Sequence, residues 1–137
     1  MSVVASPSCN QDFLLQTIGL TLEFLSDIII DIQVIGEFTP EREFFWNRRV
    51  TKLTSDISQY VELTTLMSKT LMVRSKRTIP GIKESHIHLL FILKAMNQAQ
   101  LKHDYVALEE LIKYELKDNL TQWKIDLIPQ TKKLLNT

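Results

Sequence analysis

Between Trp46 and Leu71 the chain sets Val50, Leu53, Ile57, Tyr60, Thr64 and Met67 at alternating steps of three and four residues, with no step missed. Such spacing keeps one side of an α-helix apolar turn after turn, whereas a strand repeats every two residues and could not gather these positions on one face. One long helix of about 35 residues is expected here rather than two short ones. Thr39-Pro40 supplies its N-cap and first helical residue, Glu41 and Glu43 complement the dipole of its first turn, and it ends before Ile79-Pro80-Gly81.

The rest of the chain follows the same logic. After a loose tail, residues 1–9, Asn10 caps a first helix of about 25 residues whose end is marked by Gly36 as a left-handed C-cap. Its seam is Leu15, Ile18, Leu22, Leu25, Ile29 and Ile32, with Phe13, Leu20 and Phe24 to one side. A third helix opens at Lys83-Glu84 or Ser85. In it Ile87, Leu89, Leu90, Phe91, Ile92 and Leu93 point in nearly every direction, the pattern of a central helix. His103-Asp104 breaks the periodicity, and Asp104 can cap a fourth helix whose face is Leu108, Ile112, Leu116, Leu120, Trp123 and Leu127. Pro129 should kink or end that helix, because its ring removes a hydrogen bond and clashes one turn back. With only three glycines and four prolines in 137 residues, the expected fold is all-α: an antiparallel up-down four-helix bundle with a long second helix, forming a single domain over residues 10–137.

Charge sorts along the chain. Up to Glu41 only acids occur (Asp12, Glu23, Asp27, Asp31, Glu37, Glu41). From Arg42 to Lys83 nine bases face Glu43, Asp56 and Glu62, so about minus six meets about plus six. Neighbouring helices of opposite sign fix pairing and register more than stability, since an exposed pair contributes only about 0–1 kcal/mol. Overall, 16 bases balance 16 acids, which argues against the electrostatic footprint of a nucleic-acid binder. The single cysteine, Cys9, excludes an intrachain disulfide. The first residues lack the pattern of a signal peptide, and the apolar run Ile28 to Ile35, broken by Asp31 and Gln33, is too short to span a bilayer. A cytoplasmic protein without membrane insertion is expected.

The corner between the last two helices carries a resemblance. Gln98, Ala99, Leu101, Lys102, Asp104, Leu108, Glu110, Leu111, Tyr114 and Trp123 resemble the pattern at the junction of the last two long helices in flagellin-specific export chaperones of the FliS type. The match covers roughly the last third of the chain, with Trp123 about one residue out of step, and Ala5-Ser6-Pro7 resembles a family feature near the N-terminus. The resemblance implies a cytoplasmic partner that captures the disordered, helix-prone end of a secretion substrate, such as flagellin.

No catalytic motif accompanies these helices. His86, His88 and His103, with Glu84, lack the Glu-x-x-His pairs of bundle metal sites. No serine sits beside an oxyanion-forming turn, and no glycine loop could cradle phosphate. The expectation is a binding protein, not an enzyme, with no cofactor and no metal. The histidines are expected to face solvent or lie at helix ends. The basic cluster Arg74, Lys76, Arg77 and Lys83 is either an anionic contact or a solvated helix end. Trp46, Trp123, Met67 and Met96 are expected to pack in the core. Surplus apolar surface carries more functional content: Leu20 and Phe24 on the first helix, and Leu111, Tyr114, Ile125 and Ile128 on the fourth, stand off the main seams. They are buried by wrapping of the bundle, line grooves for a partner helix, or form a homodimer interface.

Overall fold

The computed structural model describes residues 7–37 and 43–135, and among these there is no strand. Four helices make the fold. They are α1 (Pro7–Glu37), α2 (Glu43–Ser75), α3 (Ile82–Leu101) and α4, which runs over residues 105–135 without a break. Thr39-Pro40 and Glu41 fall outside the described residues.

α1 begins at Pro7, so residues 7–9 belong to the helix rather than to a tail. Proline suits a first helical position because its missing N–H would have no partner there. Gly36 is helical and is not the left-handed stop expected of it. The buried face also differs: Leu14, Ile18, Thr21, Leu25, Ile28, Ile32 and Ile35 are buried, while Leu15, Leu22 and Ile29 flank them. Thr21 can occupy the core because its hydroxyl donates to the Thr17 carbonyl at 2.7 Å, which removes the cost of burying an unpaired polar group.

Every apolar position that defines the periodicity of α2 is buried, from Trp46 to Leu71, and Thr64 with them. The helix stops earlier than proline alone would require. Lys76 adopts a left-handed φ of 55° and its N–H donates to the Met72 carbonyl at 2.9 Å, an αL stop made without glycine. Gly81, at φ 92°, then turns the chain into α3.

The α3 to α4 corner is a Schellman stop followed at once by an N-cap. Asp104 N–H donates to the Ala99 carbonyl and His103 N–H to that of Gln100, with His103 at φ 55°. The Asp104 carboxylate accepts from Ala107 N–H at 3.2 Å, the cap expected of it. Tyr105 meets Trp46 edge-on at 5.7 Å between ring centroids and accepts from Asn47 at 3.4 Å, tying the corner to the start of α2.

In α4 two wide π turns, Leu111–Leu116 and Trp123–Leu127, interrupt the α-helical rise. The second lies directly before Pro129, and the helix continues through the proline to Leu135. A π turn re-routes the backbone bonds that the ring would otherwise break, so Pro129 does not end the helix.

α1 packs about equally on α2 and on α4, and α3 packs on α4 and, less closely, on α2. α3 is therefore not a central helix. It buries Ile82, Leu89, Ile92, Leu93, Met96 and Ala99 but leaves Ile87, Leu90 and Phe91 exposed. It opens at Ile82, earlier than expected.

Candidate functional site

The exposed apolar residues fall into register along the α1–α2 seam. On α1, Phe13 and Leu20 are seven residues apart, as are Thr17, Phe24 and Asp31. On α2, Lys52, Gln59, Leu66 and Val73 form another seven-residue row. Residues seven apart share one side of a helix. Phe13 lines a cleft of about 530 Å³ with Lys69, Thr70 and Val73, and Asp31 bonds to Lys52 at 3.3 Å. The shared cleft and the ion pair tie the two rows together at either end. The outer edge of the seam therefore carries Phe13, Leu20, Leu66 and Val73, which are 68%, 57%, 62% and 81% exposed, with half-buried Phe24 among them. It closes at the other end in the Asp31, Lys52 and Asp56 cluster. Two carboxylates beside Lys52 raise its pKa.

The six expected partner-binding residues, placed in grooves beside the first and fourth helices, do not share one described cleft. Leu20 and Phe24 lie on the α1–α2 seam. Tyr114, 64% exposed, lines a separate cleft of about 390 Å³ on the other side of α1, with Gln33, Gly36, Lys113 and Lys117. Ile125 is exposed, Leu111 is half-buried against the core, and neither lines a described cleft with the others. Ile128 is fully buried and belongs to the core. The wide turn at Trp123–Leu127 shifts the helical phase by about one residue and rotates Ile128 inward, which a constant 3.6-residue wheel does not anticipate. Leu66 and Val73 stand off the buried seam that gives α2 its periodicity, so that periodicity does not single them out. Their seven-residue spacing to Lys52 was the available signal.

The basic cluster is dispersed. Arg74 lines the Phe13 cleft, Arg77 lines one with Gln130 and Lys133, and Lys83 lines a third at the start of α3.

His86 lies near the start of α3, one of the two places expected for a histidine here, but it does not face solvent. It is half-buried, tilted against the Trp123 ring at 5.0 Å between centroids, and its Nε2 lies 2.6 Å from Thr64 Oγ1. The Thr64 hydroxyl also reaches the carbonyls of Tyr60 and Val61, at 3.0 and 3.1 Å; when it donates to either, its oxygen accepts from His86 Nε2–H. Burial lowers the His86 pKa. Asn119 donates to the Ser85 carbonyl and to His88 Nδ1, both at 3.2 Å. Around these groups the buried Tyr60 hydroxyl, Trp123 Nε1 and Asn119 Oδ1 have no protein partner, and burial raises the Tyr60 pKa. Among the described residues no three His, Cys, Asp or Glu side chains converge to hold a metal ion.

The apolar run on α1 is longer than the sequence reading allowed. The segment Phe13–Glu37 is long and apolar enough, by length and composition, to cross a membrane. A helix packed in a bundle meets the same criterion, and α1 buries its Leu14 to Ile35 face against α2 and α4. No family model, no curated protein and no solved structure matches the chain.

Proposed function

We propose that the chain is a non-enzymatic binding protein that accepts an amphipathic, helix-prone segment of another protein along the outer α1–α2 seam. The observation that carries this reading is the row of exposed Phe13, Leu20, Leu66 and Val73 in seven-residue register, a pattern a partner helix can match at i, i+3, i+4 and i+7. The charged cluster of Asp31, Lys52 and Asp56 sets where the partner's apolar stripe stops.

The bundle underneath is read as antiparallel and up-down. Support comes from end-to-end pairings: Phe13 with Val73 against Asp31 with Lys52, Thr64 with His86 against Thr51 with Gln100, and Gly36 beside Lys113.

The corner pattern from Gln98 to Trp123 resembles flagellin-specific export chaperones, so the partner proposed is the disordered terminal segment of a secretion substrate, held in the cytoplasm before export. Binding would couple to folding of the client, so part of the contact energy is spent on ordering it. Self-association is the second reading, favoured by the exposed Ile87, Leu90 and Phe91 on α3.

Size-exclusion chromatography with light scattering, on the protein alone and mixed with the C-terminal segment of a flagellin from the same organism, tests both. The expected result is a monomer that forms a stoichiometric complex, lost in a folded Leu20→Glu variant. A stable dimer indifferent to the segment would overturn the chaperone reading and favour self-association.

A further inference from the structure

We propose that the outer face of α3 pairs with the same face of a second copy of this chain, antiparallel and about a two-fold axis level with Leu89. Glu84, Ile87, Phe91 and Lys94 follow one another at steps of three, four and three residues, and all four are exposed. That spacing keeps them on one side of the helix. The buried Leu89, Ile92 and Met96 lie on the opposite side, so none of the described helices reaches this row. Exposed Leu90 widens it.

Charge and order name the occupant. The row reads acid, apolar, apolar, base. A second copy laid antiparallel over it therefore sets Glu84 against Lys94 of that copy and Ile87 against its Phe91. The two-fold axis repeats each match, giving two ion pairs around four interdigitating apolar side chains. A parallel pair would set Glu84 on Glu84 and Lys94 on Lys94, and like charges face to face exclude that arrangement. Within one chain the two charges cannot meet, since ten residues of helix hold them about 15 Å apart. Among the described residues neither takes part in an ion pair. A single helix from each copy covers less than the roughly 1,200–2,000 Å² of a standard stable interface. The pairing is therefore weak, and the monomer prevails at the dilution of a chromatography column.

This inference gives a face and a register to the self-association named above as a second reading, rests on that reading alone, and leaves the α1–α2 seam free. The test is sedimentation equilibrium at loading concentrations from about 10 µM to 1 mM. The average mass is expected to rise toward that of a dimer. Glu84→Lys and Lys94→Glu should each weaken pairing about tenfold, because both ion pairs become repulsive, and the variant carrying both changes should regain the parent's affinity. Lys94→Glu, exposed and in mid-helix, carries the test alone should the first turn of α3 not tolerate Glu84→Lys. A monomer's mass at 1 mM, a dimer indifferent to the single changes, or a combined variant as weak as either one would overturn the pairing. Loss of flagellin-segment binding in a folded Lys94→Glu variant would give this face to that partner and overturn it too. A chain that pairs as described but ignores the segment keeps this inference and drops the client reading.

Discussion

Trp123 lies where α2, α3 and α4 meet, and truncating it measures how tightly the three are joined. Its side chain is fully buried, edge-on to Tyr60 at 5.6 Å and tilted against His86 at 5.0 Å. A buried tryptophan removes on the order of 200 Å² from water. At about 25 cal/mol per Å² this corresponds to roughly 5 kcal/mol, and measured Trp→Ala changes run about 3–5 kcal/mol. Trp123→Ala is therefore expected to lose about 3–5 kcal/mol, a large part of the stability of roughly 5–15 kcal/mol usual for a domain. Trp123→Phe separates packing from hydrogen bonding. Because Nε1 has no protein partner, the phenylalanine variant loses no bond and should cost only about 1–2 kcal/mol through reduced contact. Urea unfolding followed by far-ultraviolet circular dichroism, at constant m-value, gives both numbers. If Trp123→Phe proved as costly as Trp123→Ala, the indole N–H would have a strong partner, such as a buried water, and the account of this layer as under-satisfied would be refuted.

Ile128→Asp should unfold the protein or cost more than about 3 kcal/mol, whereas Ile125→Asp, three residues away and exposed, should stay within about 0.5 kcal/mol; equal effects would sink the inward rotation assigned to the second π turn. Lys76→Gly should raise stability by about 0.5–1 kcal/mol, because φ 55° strains a side chain and not glycine, and an unchanged or lower urea midpoint would contradict that backbone geometry. His86 has a lowered pKa in the folded state, so the unfolded chain binds the extra proton first. Its contribution is complete above the ordinary histidine pKa of about 6.5 and is lost as pH falls from there toward the folded value. His86→Phe should flatten the stability profile in that window, and a profile parallel to the parent's would count against the burial of this ring. Leu66→Glu should leave the unfolding midpoint nearly unchanged while weakening partner binding about tenfold, the loss expected when a leucine of this exposure is no longer covered. Retained affinity by titration calorimetry would move the interface off the α1–α2 seam.

The sequence by itself determined the helices and most of their inner faces. Periodicity names Trp46 to Leu71 on α2 and Leu108 to Trp123 on α4, all buried, and Asp104 announces its cap. These features are local: a three-four repeat has one solution, and a carboxylate before an apolar run has an orphan N–H to accept from. What the tertiary structure decided is everything that depends on a neighbour. Thr21 entered the core because a carbonyl one turn back took its proton. His86 became half-buried because Thr64 and Trp123 were there to receive it. Ile128 turned inward because a π turn changed the helical phase. Above all, residue spacing alone could set Leu20 and Phe24 beside any helix. The cleft that Phe13 and Val73 both line and the bond from Asp31 to Lys52 show that the helix beside theirs is α2, since the rim of a groove belongs to two helices and to neither sequence alone.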